Sequence, residues 1–559
     1  MGKQTVVRGA GIMMVATIVS RLLGYVREYT IGHTFGATDH TDAFWAAFLV
    51  PDLLYYLLAG GALSAAFIPV FTDYLARSDD DETWRVANTI TTLLMIGSGA
   101  GVVLIEIFAP ALVHITVPGL RQRPEAFNEC VFFVRIMAPM VFATSLSALS
   151  TAVLQAYKHF TAPAMAWAIY NLGIIFGALV IVPRIPSQEP RIQMVGLCAG
   201  VLIGAVLQVL VQLPALLRRG LAYRPTLDLA HPGVRLGIGL FLPIMTGLAV
   251  GQLSLLWFPY FFGSYFEAGV LTATRYANRL VVLPLGLFGV TISTAVFPTL
   301  AERATLLQRD DLRRAANGSV RAVSALAVPS AVGLFALAGP VIRLLWRGGD
   351  FDPAATQASA FVLLFFAPGL VGLAAMQVLN RVFYAVKDRW TPPIVGVAYV
   401  GLSIALTLWM MRLRVGYGAI GLAASIAWTL GFLVLLPLAR SRLGGFDLRG
   451  LVASLARIVL ASAALGVVCW YVAEAVGRPL GLPGTDFRWV APQIAAIREA
   501  DAMGLVAHPS RLLTVVQVGA AMAAGSVAYV AALAALRAPE LRVMLDAVRM
   551  RLRRPAVEA

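Results

Sequence analysis

The sequence predicts an all-α polytopic membrane protein, and three observations carry that prediction. Of its 559 residues, 59% are hydrophobic and only 13% are charged, against about 45–50% apolar and ~25% charged in an ordinary soluble domain. The apolar residues fall into about fourteen runs of the ~20 residues that a spanning helix needs. The net charge of +15 lies mostly between those runs, which is how membrane topology is encoded. A nucleic-acid reader would instead gather its basic charge on one solvated face with interleaved aromatics.

The first run starts near residue 10 and continues past Arg21 without a small-residue cleavage site, so it is expected to be retained and not removed as a signal peptide. The second and third start near 42 and 86, the latter with Glu106 deep inside it, and the fourth and fifth near 127 and 161. In the sixth, from about 193, Gly196, Gly200 and Gly204 put small residues on one face, a pattern for close helix packing. Runs seven and eight start near 233 and 268, and the eighth carries Arg275 and Arg279 four residues apart. Four more start near 320, 357, 393 and 416, and the last two near 451 and 512. The stretch 476–510 between these last two is the least apolar and has room for a short amphipathic helix on the outer interface.

Orientation follows from the loops. If the helices alternate, Lys3 and Arg8, Arg77 and Arg85, Lys158, Arg218 to Arg235, Arg303 to Arg321, Arg381 to Arg389, Arg440 to Arg449 and the tail Arg537 to Arg554 all fall on one side. The positive-inside rule makes that side cytoplasmic, with both termini on it.

One offset recurs along the chain. Ser64-Ala65-Ala66-Phe67-Ile68-Pro69 matches Ser293-Thr294-Ala295-Val296-Phe297-Pro298 at 293 − 64 = 229, and Ala156-Tyr157-Lys158 matches Ala385-Val386-Lys387 at the same spacing. An even number of helices separates the copies, so two six-helix lobes are expected around an axis along the membrane normal, with the substrate site between them. The expected division is residues 1–222 for the first lobe, 223–445 for the second, and 446–559 for two additional helices with the external loop and a basic tail.

Several chemistries are excluded. Cys130, Cys198 and Cys469 lie far apart in apolar stretches, and the six histidines show no metal-ligand spacing, so neither a disulfide framework nor a metal site is expected. Lys3 makes the only Gly-Lys dipeptide, so there is no phosphate loop, and neither catalysis nor a cofactor is implied.

What remains is charge in apolar segments. An arginine at bilayer depth costs about 2.5–3.5 kcal/mol and persists only with a partner, a wet cavity or a path to the interface. Arg21 and Arg27 in the first run and Arg275 and Arg279 in the eighth are therefore the leading binding candidates, with Glu28 and Asp42 as partners for the first pair. Arg135 and Arg343 lie near helix ends where long side chains reach the interface. Asn171 is expected to be a helix-to-helix hydrogen bond.

The segment 20–69 resembles the start of the MurJ/MviN family of lipid II flippases. The matching residues are Ser20-Arg21-x-x-Gly24-x-x-Arg27-Glu28, Phe35-Gly36-Ala37, Thr41-Asp42-Ala43-Phe44, Pro51-x-Leu53-Leu54 and Gly61-Ala62-x-Ser64-x-Ala66-Phe67-x-Pro69. Further matches occur at Arg135-Ile136-Met137-x-Pro139, Tyr276-Ala277-Asn278-Arg279-Leu280 and Lys387 to Pro392. The resemblance covers the first twelve runs and weakens over the last two. It implies the fold of the multidrug/oligosaccharidyl-lipid/polysaccharide exporter superfamily, alternating access of a cationic cavity, and functional roles for Arg21, Arg27, Asp42 and Arg279. Two departures stand out. Where the family commonly has a basic pair in the second helix this chain has Tyr55 and Tyr56, and where it often has Asp beside the eighth-helix arginine this chain has Asn278. Arg275, one turn before Arg279, is placed to restore the lost charge.

The resemblance implies flipping of lipid II, undecaprenyl-diphosphate-MurNAc-pentapeptide-GlcNAc, from the inner to the outer leaflet of the bacterial cytoplasmic membrane. Expected partners are lipid II, membrane lipids and the cell-wall synthesis machinery, with no nucleic acid. Guanidinium groups suit a diphosphate because they bind it bidentately and stay ionised. The alternatives are a flippase for another polyprenyl-diphosphate glycan, an ion-coupled drug antiporter, which the arginine excess disfavours, and a non-transporting cell-wall scaffold that binds anionic lipid.

Overall fold

The computed structural model describes residues 3–58, 62–76, 80–220, 223–252, 257–483, 494–503 and 510–541, with no side-chain detail for residues 3–17, 62, 64–65, 80, 242–244, 246–252 and 495. Every regular element among them is a helix. In chain order these are α1 (Lys3–Phe35), α2 (Asp39–Leu58), α3 (Ala62–Ala76), α4 (Asp80–Thr116), α5 (Pro124–Met137), α6 (Met140–Ala156), α7 (Thr161–Phe176), α8 (Pro190–Leu210), α9 (Leu213–Leu217), α10 (Pro232–Gln252) and α11 (Phe258–Gly263). There follow α12 (Val270–Pro284), α13 (Thr291–Thr305), α14 (Arg309–Ala336), α15 (Ala338–Trp346), α16 (Pro353–Phe366), α17 (Gly369–Ala385), α18 (Thr391–Arg412), α19 (Gly418–Leu443), α20 (Leu448–Gly477), α21 (Ile494–Ala502) and α22 (Arg511–Ala535).

Among the described residues, nine helices are long and apolar enough to cross a bilayer, or eleven if the bent pairs α5–α6 and α16–α17 are each one span. The expected count of about fourteen is not reached on that criterion. The other three runs fall in α1, in α2–α3 and in α10. The described side chains of α1 include Arg21, Arg27 and Glu28, α2 and α3 are separated by residues 59–61, which lie outside the described set with Gly60, and much of α10 has no described side chains. The basic tail beyond residue 541, and residues 484–493 and 504–509 of the loop expected to be external, also lie outside it.

The bends have a covalent cause. They are 44° at Ala138-Pro139 and 50° at Ala367-Pro368, where a proline lacks the amide that would continue the helix and crowds the preceding turn. These breaks are 229 residues apart, and the bounds of α3 and α13, α5 and α16, and α6 and α17 keep the same offset. Backbone detail follows the register. Lys158 and Lys387 end α6 and α17 with φ of 58° and 63°. In each case the next amide reaches back to a carbonyl in the last turn, His159 to Leu154 and Asp388 to Phe383, the hydrogen-bond closure of a left-handed helix end.

The chain forms two compact units, one of Met1–Thr272 with Gly348–Phe351, the other of Ala273–Arg347 with Asp352–Ala559. In the first unit α2 runs through the interior, with every residue from Thr41 to Pro51 buried, as expected of a helix apolar all round. α7 and α8 approach through glycines, Gly173 and Gly177 facing Gly204 and Gly200. A Cβ on Gly177 would lie 2.7 Å from the Gly200 Cα. In the second unit α20 packs on α22 and both contact α14, where the Tyr529 hydroxyl donates to the Ala325 carbonyl at 2.7 Å.

Candidate functional site

On α1 the two arginines are six residues apart and therefore point to different faces of the helix. Arg27 is buried and its Nη2 donates to Glu28 Oε1 at 3.1 Å, Glu28 itself being fully buried. Arg21 is exposed and forms no hydrogen bond or ion pair with any described residue. One guanidinium is thus held in place and the other is presented.

Asp42, in the first turn of α2, is fully buried. Its carboxylate accepts from the Gly269 amide at 2.9 Å, from the Thr272 amide at 2.8 Å and from the Thr272 hydroxyl at 2.7 Å. The first amides of a helix have no partner within it, so Asp42 caps α12 from another part of the chain. Gly269 has φ of +87° and its missing Cβ leaves space for the Ala37 carbonyl, so no other residue fits there without displacement. Arg123 Nη1 completes the set, donating to Asp42 Oδ2 at 3.2 Å and pairing with Asp39. Arg123 lies just before α5, and its partnership with a carboxylate 81 positions away has no sequence signature.

The two tyrosines of α2, where the sequence departs from the pattern it resembles, differ. Tyr55 is 8% exposed and packs in an apolar cluster with Leu63, Phe67 and Phe71. Its ring meets Tyr56 and Trp167 edge-on at 5.5 and 6.2 Å. Tyr56 is half-buried.

In the second unit, Arg275, Asn278 and Arg279 are half-buried on α12, and the two arginines lie one turn apart on the same side. Tyr276 and Ala277, fully buried, fix the orientation of the helix, and the Tyr276 ring stacks on Trp346 at 5.2 Å.

The secondary candidates resolve one by one. Asn171 Nδ2 donates to the Trp167 carbonyl at 2.9 Å and to the Ser20 carbonyl of α1 at 3.4 Å, a link between helices. Arg135 is exposed, and its Nε donates to the Glu106 carbonyl at 3.3 Å. Arg343 does not reach outward. It is 7% exposed and donates to the Pro483 carbonyl at 2.9 Å, which ties α15 to the segment after α20. Further along, α21 carries Arg498, which pairs with Asp352 at 2.8 Å.

Known proteins resemble the chain over most of its length. A family model described as lipid II flippase MurJ matches residues 31–483. A Burkholderia cenocepacia protein named lipid II flippase MurJ is 30% identical over 423 residues, 75% of this chain and 81% of that protein. A Vibrio cholerae protein named probable lipid II flippase MurJ is 31% identical over 433 residues, 74% and 79% of the two chains. Among solved structures, lipid II flippase MurJ in an inward closed conformation superposes with a TM-score of 0.73 at 21% identity, covering 94% of this chain and 99% of that one. An inward-facing multidrug resistance MATE family transporter of the MOP superfamily gives 0.61 at 13% identity, covering 77% and 98%. At these identities the structures bear on the fold alone.

Proposed function

The chain belongs to the lipid II flippase MurJ family, and from that premise we propose that it moves lipid II from the cytoplasmic to the outer leaflet of the cytoplasmic membrane. It breaks no bond in doing so. Both termini face the cytoplasm, and the cell-wall synthesis machinery on the outer side consumes the product.

The observation that carries this reading is the placement of guanidiniums on apolar helices, Arg21 presented and Arg27 braced by Glu28 on α1, Arg275 and Arg279 aligned on α12. In the proposed mechanism these groups capture the diphosphate in an inward-open cavity. Each guanidinium grips phosphate oxygens bidentately, and low-dielectric walls strengthen the attraction relative to water. The polyprenyl tail stays in lipid beside α20 and α22.

We divide the chain into lobes 1–222 and 223–445 with residues 446–559 appended, a division that the common offset of helix bounds and proline breaks supports. Asp42, Gly269 and Thr272 fall in one compact unit, and Asp42 is given a supporting role: it holds the start of α12, the helix that carries Arg275 and Arg279. The chain lacks an ATPase motif, so the driving force is an ion gradient, the membrane potential at ~2.3 kcal/mol per charge per 100 mV, or consumption of product.

The test is rescue of a bacterial strain depleted of its own lipid II flippase. Growth and normal shape are expected with the wild-type chain and not with Arg21→Ala or Arg279→Ala at equal membrane levels. Lysis with the wild-type chain present in the membrane would refute the assignment.

A further inference from the structure

Three arginines at one end of α14, Arg313, Arg314 and Arg321, line a cavity of about 420 Å³ together with Asp310, Asn317 and Asp447. Residues 313, 317 and 321 recur every four positions and so share one face of the helix. That face meets the turn between α19 and α20, because Arg313 donates Nε to the Leu443 carbonyl at 2.9 Å and Nη2 to the Gly444 carbonyl at 2.6 Å.

The guanidiniums are committed to different degrees. Arg313 is occupied with closing the end of α19. Arg321 gives Nη2 to Asp447 at 2.7 Å, while its buried Nε has no acceptor among the described residues. Arg314 is 75% exposed and, among the described residues, pairs only with Asp311. The carboxylate on Arg313, that of Asp310, is 80% exposed. Exposed pairs of this kind are weak and easily exchanged, so a phosphate competes well for the same nitrogens.

A second unmet group asks for the opposite chemistry. Asn317 is 7% exposed, its Nδ2 donates to the Arg313 carbonyl at 3.1 Å, and its Oδ1 is buried without a donor among the described residues. A buried polar atom left unpaired is costly. A ligand that offers phosphate oxygens to Arg314 and Arg321 and a hydroxyl to Asn317 answers both needs after small side-chain shifts.

The cavity also lies at a polar-to-apolar border. Asp447 caps α20 by accepting from the Gly450 amide at 2.9 Å, and Val452, 63% exposed, starts the apolar outer flank of α20 just beyond. We propose that this cavity binds a hydroxyl-bearing phosphate ester, the chemistry of a glycerophosphate head group. A membrane lipid and a soluble glycerol phosphate both carry that chemistry.

The experiment uses the full chain in phosphatidylcholine nanodiscs with added phosphatidylglycerol, and sn-glycerol 3-phosphate as a soluble competitor. Preferential retention of phosphatidylglycerol is expected in native mass spectrometry. The double variant Arg314→Gln/Arg321→Gln should weaken it about tenfold or more, as loss of charge-assisted hydrogen bonds does. Asp310→Asn, which removes a competing exposed carboxylate, should strengthen it. Displacement by glycerol 3-phosphate assigns the site to a soluble ligand, and lack of displacement assigns it to the lipid. The proposal is overturned if neither probe binds in preference to phosphatidylcholine, or if both variants bind phosphatidylglycerol as the wild type does. Should the double variant fail to fold, Asp310→Asn decides alone, because unchanged or weaker binding contradicts the site.

Discussion

A guanidinium on an apolar helix persists only if something answers its charge, and α1 holds both kinds of answer within six residues. Arg27 has Glu28 beside it, whereas Arg21 has no partner among the described residues, which is the state expected of a group waiting for a ligand. Arg279 is assigned the same task, and there shape matters as well as charge. Arg279→Ala should abolish rescue of a flippase-depleted strain and Arg279→Lys should retain part of it, because a point charge cannot reproduce the planar fork. Full activity of the lysine variant would show that charge alone suffices.

Asp42 offers a stability test at the same scale. Asp42→Ala takes one of Arg123's two carboxylates and leaves the Gly269 and Thr272 amides without their acceptor, and should destabilise the purified protein by about 3–5 kcal/mol, the cost of breaking a buried charged pair, read as a fall in unfolding temperature. Asp42→Asn keeps one acceptor and should cost less, about 1–3 kcal/mol. The arginines and Asp42 were legible in the sequence because charge among apolar residues is conspicuous. Arg123 was not, since it sits among other loop charges and only the fold brings it to Asp42. Nor could the sequence tell Tyr55 from Tyr56. Burial now separates them: Tyr55→Arg would place a charge in an apolar cluster at about 2.5–3.5 kcal/mol, and lower membrane levels of that variant than of Tyr56→Arg are expected on immunoblots.

At the scale of elements, the contact between α7 and α8 is set by the absence of side chains. A Cβ on Gly200 would lie 2.7 Å from the Gly177 Cα, whereas Gly97 and Gly99 on α4 have nothing within 4 Å. Gly200→Ala should therefore destabilise by about 1–3 kcal/mol through forced separation of the helices, while Gly97→Ala should be neutral or stabilise by up to ~1 kcal/mol, both measured by thermal unfolding in detergent. Equal effects would show that the glycines serve flexibility and not contact. The glycine face of α8 was plain from its four-residue spacing, but its partners Gly173 and Gly177 became visible only in the fold. The 229-residue register was visible at two short motifs and hidden elsewhere. The two halves have diverged in side chains, for example Arg275 and Arg279 opposite Ala46 and Val50, while keeping the prolines and helix ends that fix the backbone.

For the whole molecule, composition and run length were enough to foresee an all-helical membrane protein, because no other fold satisfies its backbone in lipid apart from a closed barrel. The number of spans was less legible. Charges in α1 and the proline bends make run length a loose guide to where a helix crosses. The central claim is that this chain carries lipid II across the bilayer, and its most direct measurement is the leaflet distribution of labelled lipid II. In cells depleted of their own flippase, an externally added, membrane-impermeant enzyme that cleaves lipid II reports the outer-leaflet fraction. Expression of the wild-type chain should restore cleavage to the undepleted level, and Arg279→Ala at equal membrane abundance should leave lipid II protected. Protection in cells that express the wild-type chain, or cleavage equal in wild type and Arg279→Ala, would contradict the account.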